Sequence, residues 1–312
     1  MLVEALPPLL PIAPILAQTC GSEPSMLLRL VQLGFDGLTL GSLVALGAMG
    51  LTLTYSILKL PNFAQGDWMT VGAYGAWWLV GWGLPLPVAM LGGIGVTIGL
   101  ILLSEKLLWS PLRAQRSPMT TLIIASMGLA LFLRNGILLI WGAGNQDYGL
   151  PLAEPWTVFC VRLVGNRVVI LGVAIVAMVM VHGLLQRTAL GKAMRAVADN
   201  PDLAQVTGIP VQRVMLWTWV LAGSLTALGG GLYGLMSAIR PNMGWFLILP
   251  LFAAVVVGGI GQVYGAIGAA LAIGVLQEVS TLWLPNAYKP AIALIVVMLI
   301  LWIRPQGLWG RS

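Results

Sequence analysis

A chain of 312 residues that is 59% hydrophobic and only 8% charged, with mean hydropathy +0.94, is not a soluble domain. Its net charge of +6 would suit a nucleic-acid binder, but the cations fall mainly in polar gaps between apolar runs, where membrane orientation places them. Nothing is left over for a separate soluble domain, and the 39 glycines suit helices that approach closely in lipid.

Residues 1–30 read as an N-terminal extension. The stretch Leu2–Gln18 is apolar but carries four prolines, and no basic residue precedes it as a signal peptide requires. Either a loosely structured segment or one membrane-inserted helix fits. Residues 31–312 read as a single transmembrane domain. Long apolar runs place spans at about 32–58, 63–80, 86–109, 118–141, 168–186, 214–237, 245–260, 264–283 and 288–303. The expected fold is an all-α polytopic bundle of about 8–10 transmembrane helices. Lys106, Arg113 and Arg116 follow the third span, a cationic island at 186–213 follows the fifth, and Arg304 and Arg311 follow the last. Putting these on the cytoplasmic side sets the N-terminus outside and the C-terminus inside. The loop at about 142–167 is then outside, where Asp147, Glu154, Arg162 and Arg167 nearly balance. Cys20 and Cys160 fall on that outer side without metal-ligand spacing; a disulfide and two separate thiols both remain open.

Two places interrupt the helical pattern. Leu60-Pro61-Asn62-Phe63-Ala64-Gln65-Gly66-Asp67 joins the first two spans with almost no loop, and Gly258-Gly259-Ile260-Gly261-Gln262 joins the seventh and eighth. Paired breaks in two halves of a chain point to an internal repeat with a transport path between them, although tight helix connections would read the same. The polar groups of Asn62, Gln65 and Asp67, with Phe63 beside them and Gly66 permitting the turn, are candidates for lining that path. Gly41, Ser42, Gly258, Gly259 and Gly261 are candidates for a weak, transient solute site of backbone dipoles and small hydroxyls; close helix packing is their other reading.

The island from Gln186 to Arg213 is too long for a turn and too charged for a bilayer. It holds Arg187, Lys192, Arg195 and Arg213 with Asp199 and Asp202. Asn200 is a good N-cap, Pro201 suits the first helical position, and Asp202 complements the helix dipole. Gly208 fits a left-handed C-cap, and Pro210 stops the chain. Leu203, Ala204 and Val206 make that short helix partly apolar. It either docks on a partner or packs on its own protein as a solvated loop.

No catalytic residue emerges. Gly191-Lys192 is followed by Ala193 and lacks the upstream glycine of a phosphate loop, so the chain has no ATP site of that kind. The G-x-G at Gly259–Gly261 follows no strand, His182 has no second ligand nearby, and no acid pair or Ser/His/Asp set suggests a hydrolase. Neither a metal nor an organic cofactor is expected. Asp36, Asp67, Arg134 and Glu278 are the ionisable residues at membrane depth, each a candidate for function, for snorkelling or for structural pairing.

Leu38-Thr39-Leu40-Gly41-Ser42, Leu53-Thr54-Tyr55, Asn62-Phe63-Ala64-Gln65-Gly66-Asp67 and Gly72-Ala73-Tyr74 resemble the first segments of the branched-chain amino-acid permease subunits of bacterial ABC importers. Gly191-x-Ala193-x-Arg195-Ala196, with Asn200, Ala204 and Gly208-Ile209, resembles the cytoplasmic coupling segment of that family. Val257–Gly261 and Arg304-Pro305-x-Gly307-Leu308 resemble its late motifs, so the likeness runs over about residues 30–310. Gln65 stands where the family usually has His, Pro250-Leu251 where a Lys-Ala pair is common, and Arg134 where a neutral Gln is usual. What the resemblance implies is a non-enzymatic transport subunit of the bacterial inner membrane. Its partners would be ABC ATPase subunits, a second homologous permease and a periplasmic or extracytoplasmic solute-binding protein. The ATPase contact would fall on Gly191, Arg195, Asn200, Pro201, Asp202, Ala204 and Gly208. A permease for urea or an amide, and a self-contained secondary transporter, are the alternatives.

Overall fold

The computed structural model describes residues 26–59, 61–149, 156–158 and 161–310. The segment before Met26 with Cys20, and Cys160 in the long loop, lie outside the described residues, as does Leu60 of the first break. The fold is an all-α polytopic bundle, and each of the nine expected spans is a helix. They are α1 (Met26–Leu58), α2 (Gln65–Gly81), α3 (Leu86–Ser104), α5 (Met119–Trp141), α6 (Gly165–Arg187), α9 (Val211–Met236), α10 (Met243–Gly258), α11 (Val263–Val279) and α12 (Lys289–Ile303). Short helices α4 (Ser110–Ala114), α7 (Ala189–Asp199) and α8 (Pro201–Val206) sit in the connections, and β1 (Trp156–Val158) pairs antiparallel with β2 (Val161–Leu163). Among the described residues, seven helical stretches are long and apolar enough to cross a bilayer; α2, at 17 residues, and α10, at 16, are shorter.

Burial ranks the helices. The most apolar stretch of α1 is 89% buried inside the chain, against 6% for the stretch containing α12, so α1 is the central post and α12 faces outward. Small residues set how close its neighbours come. A Cβ on Gly41 would fall 2.8 Å from Leu271 Cα in α11, and one on Gly274 would fall 2.5 Å from Gly41 Cα. The α1–α11 crossing is therefore backbone against backbone. Around it pack Leu43, Leu46 and Met49 toward α6 and α9, and Val44, Ala48 and Leu51 toward α10 and α11.

The connections sort to two ends. At one, Lys59 Nζ donates to Ala198 O at 3.0 Å, Ser56 Oγ to Gly261 O at 3.2 Å, and Leu308 N to Val257 O at 2.8 Å. At the other, Gln146 and Ile239 exchange backbone hydrogen bonds of 2.9 and 2.8 Å, Arg167 pairs with Asp36, and Lys289 pairs with Glu278 at 2.7 Å. The first end carries Lys59, Arg113, Arg116, Arg187, Lys192, Arg195, Arg213 and Arg304. The third span overruns its expected end at 109, continuing through a π-turn at Glu105–Trp109 into α4.

Candidate translocation and coupling sites

The first break does not lie at the surface. A Cβ on Gly50 would sit 2.6 Å from Gln65 Nε2, so α2 begins level with a residue eight positions before the end of α1. At about 1.5 Å per residue that is roughly 12 Å inside the bundle. α10 begins beside it: Gly66 and Gly244 approach so closely that a Cβ on either would fall 2.1 to 2.3 Å from the other's carbonyl oxygen. The starts of two short helices, of 17 and 16 residues, thus meet in the interior.

Helix starts leave amide N–H groups without partners, and buried ones must find them. Asn62 Oδ1 accepts from Ala64 N at 3.1 Å, Ser126 Oγ from Phe63 N at 3.2 Å, and Thr70 Oγ1 from Gly244 N at 3.1 Å. Asn62 Nδ2 donates to Gln65 Oε1 at 3.3 Å, and Gln65 Nε2 donates to Thr226 Oγ1. Asp67, in the first turn of α2, takes a two-pronged bond from Arg134 of α5: Nε to Oδ1 at 3.1 Å and Nη2 to Oδ2 at 3.2 Å. Trp245 of α10 lies under the same guanidinium, its ring centroid 4.9 Å from Cζ. Asn62, Gln65 and Asp67 are all buried within this chain. Among the described residues of the break Phe63 is the partly exposed one, and it stacks on Phe252 of α10 with centroids 4.6 Å apart.

Of the two readings left open for the glycines, the geometry displays close packing. Gly41 carries the α1–α11 crossing, and Ser42 Oγ is turned back to Thr39 O at 2.7 Å. Gly258 abuts the backbone of Gly265 across the α10–α11 turn. Gly259, at φ +96, lies under the C-terminal tail, where a Cβ would meet Gly310 N at 2.7 Å; Gly261, at φ +89, faces Ser56. The four charged residues at depth are paired: Asp36 with Arg167, Asp67 with Arg134, Glu278 with Lys289. A fourth pair escaped sequence reading. Glu105 in the π-turn pairs with Arg113 and accepts from Trp219 Nε1 at 2.6 Å, tying the end of α3 to α9. Its one signal was an acid eight residues before an arginine at a span end.

The polar island forms two helices. Thr188 caps α7 by accepting from Gly191 N at 3.0 Å, and Gly191 lies where a Cβ would fall 2.4 Å from Leu184 O and Leu185 O. Arg195 Nη1 donates to Leu185 O, closing the C-terminus of α6. Met194 and Val197 bury α7 against α1 and α6. Asn200 Oδ1 accepts from Asp202 N at 3.1 Å and Leu203 N at 3.0 Å, so it is the N-cap of α8, with Pro201 at the first position and Asp202 in the first turn. Gly208 has φ +87, and the bonds Gly208 N to Gln205 O and Ile209 N to Ala204 O, both 3.0 Å, make the left-handed C-cap. Ala204 is buried; Leu203 and Val206 are 62% and 84% exposed. Among the described residues no cluster of His, Cys, Asp or Glu could hold a metal ion.

Apolar helices around a central post, with two helix starts meeting inside and a capped polar platform at one end, make a polytopic membrane protein. The chain belongs to the family described as branched-chain amino acid transport system permease component, whose model matches residues 34–302. It is 30% identical over 305 residues to the high-affinity branched-chain amino acid transport system permease protein LivH of Salmonella typhimurium, covering 91% of this chain and 96% of the relative. It is 33% identical over 287 residues to the probable LivH permease of Methanocaldococcus jannaschii, covering 86% and 89%. The solved structure of PsaBC from Streptococcus pneumoniae in complex with Fab is similar in fold over 95% of this chain and 98% of that one, with TM-score 0.51 and 13% identity.

Proposed function

We propose that this permease is the membrane subunit of an ATP-driven importer for branched-chain or other neutral amino acids, presented by an extracytoplasmic solute-binding protein. Residues 31–312 act as one transmembrane unit beside a second homologous permease. A separate ATPase docks on α7 and α8, with the cation-rich end in the cytoplasm of a bacterial inner membrane and the segment before α1 outside. The carrying observation is the platform itself. α7 is anchored on one face by the buried Gly191, Met194 and Val197, α8 is capped at both ends, and yet Leu203 and Val206 point away from the protein. A helix held rigidly with its apolar residues outward supports a docking surface.

For the route, we propose that the Phe63–Phe252 stack borders it, with Asn62, Gln65, Gly66 and Asp67 fixing the break behind. Gly41, Ser42, Gly258, Gly259 and Gly261 set how near the lining helices come. A self-contained proton-coupled carrier is less well supported, because Asp36, Asp67, Glu105 and Glu278 each hold a basic partner. The substrate class follows what the relatives' names say of those proteins. The test is leucine uptake by proteoliposomes containing the permease and its co-purifying ATPase. Uptake should require ATP and the binding protein; uptake driven by a proton gradient without the ATPase would overturn the reading.

A further inference from the structure

At the cation-rich end, a cavity of about 290 Å³ lies between α1, the end of α6, α7 and the start of α11. Leu53 and Ile57 of α1 form one wall; Ser56, Gln186, Arg195, Asp199, Gln262 and Tyr264 supply its polar groups. Its size is near the lower bound for ligand sites, about 300 Å³, so it suits a small solute and excludes a nucleotide. Arg195 and Asp199 are four residues apart on α7 and line the same cavity, but they do not pair. Arg195 is held back by Leu185 O and by Gln186 Oε1 at 3.3 Å. The Asp199 carboxylate has no hydrogen bond or ion pair among the described residues. An Arg placed N-terminal to an acid at this spacing is also the weaker orientation for a helix pair. The result is an anchored guanidinium and an uncommitted carboxylate over an apolar wall. That pattern complements a molecule with a carboxylate, an ammonium and a short aliphatic chain.

We propose that this cavity binds a zwitterionic amino acid with an apolar side chain from the cytoplasmic side, wedging α7 against α1 and α11 and slowing the transporter when its product accumulates. The binding claim rests on the cavity's own chemistry; the consequence rests on the proposed docking role of α7 and α8. Such a site is separate from the first helix break, which lies deeper and is sealed by its own hydrogen bonds, although Gly261 and Gln262 of the second break line the cavity.

The experiment uses the complete permease–ATPase complex in lipid nanodiscs without a binding protein. It is titrated with L-leucine, with 4-methylpentanoate, which lacks the ammonium, and with 3-methylbutylamine, which lacks the carboxylate. Leucine should bind saturably, and each analogue about tenfold more weakly. Asp199→Asn should weaken leucine about tenfold and leave 4-methylpentanoate unchanged. Ile57→Trp, which fills the apolar wall, should abolish leucine binding. Leucine should lower ATP hydrolysis in the wild type and not in Asp199→Asn. Absence of saturable leucine binding, or binding of equal strength in the wild type and both variants, overturns the proposal. A parallel uptake assay keeps the two readings apart. Leucine uptake without binding here sinks the cavity site alone; Asp199-dependent binding without leucine uptake sinks the substrate assignment alone.

Discussion

Asp67 and Arg134 show how one residue's role depends on a partner far along the chain. Each would be costly alone at membrane depth; together they form a two-pronged pair with Trp245 under the guanidinium. Removing one partner strands the other charge, at a cost of about 3–5 kcal/mol. Arg134→Gln alone, and Asp67→Asn alone, should therefore lower the melting temperature of the purified permease strongly. The double variant Asp67→Asn, Arg134→Gln should recover most of the loss, because two neutral amides can still hydrogen-bond. A double-variant loss equal to the sum of the two single losses would show that the pair contributes nothing beyond its parts. Gly208 is a second case. Its φ of +87 is open to glycine, and a Cβ there would meet nothing within 4 Å, so a side chain is opposed by backbone strain and not by crowding. Gly208→Val should cost about 1–3 kcal/mol locally and leave the membrane helices intact. Substrate-stimulated ATP hydrolysis should fall; normal stimulation would count against α8 as the coupling element.

At the scale of elements, the nine spans were readable because lipid demands long apolar runs, and α8 was readable because its caps are local. Asn200, Pro201 and Gly208 act on backbone groups within a few residues of themselves, so their meaning is written nearby. The depth of the first break was not. That α2 starts level with Gly50, and that Gly66 meets Gly244, depends on how α1, α9 and α10 pack, and no local pattern encodes it. The Glu105–Arg113–Trp219 clamp was missed for the same reason: Trp219 comes from a distant helix. The platform makes its own prediction. Leu203→Glu with Val206→Glu places charge on an outward apolar face without touching the buried Ala204. The permease should fold and insert normally, while ATPase co-purification should drop at least tenfold. Undiminished co-purification would place the docking surface elsewhere.

Across the whole molecule, one axis organises everything: which end of the bundle each connection reaches. The distribution of cations along the sequence assigns them to one side, and the contacts of Lys59 with Ala198, Ser56 with Gly261 and Leu308 with Val257 independently gather those connections at one end. Gln146 with Ile239 gathers the others at the opposite end. The helices alternate accordingly, with an odd number of crossings between Met26 and the C-terminal tail. The proposed orientation follows the positive-inside bias, since short cytoplasmic loops retain Lys and Arg. Single cysteines test this in a chain whose Cys20 and Cys160 have been changed to serine. Ser117→Cys lies between α4 and α5 at the cation-rich end, and Asn145→Cys lies in the exposed stretch after α5 at the other. In right-side-out vesicles a membrane-impermeant maleimide should label Asn145→Cys and spare Ser117→Cys until the membrane is opened. The reverse pattern would invert the molecule and overturn both the proposed ATPase docking surface on α7 and α8 and the proposed product-sensing cavity. Labelling of both sites in sealed vesicles would instead break the single axis, because the two ends could not then lie on opposite sides of one bilayer.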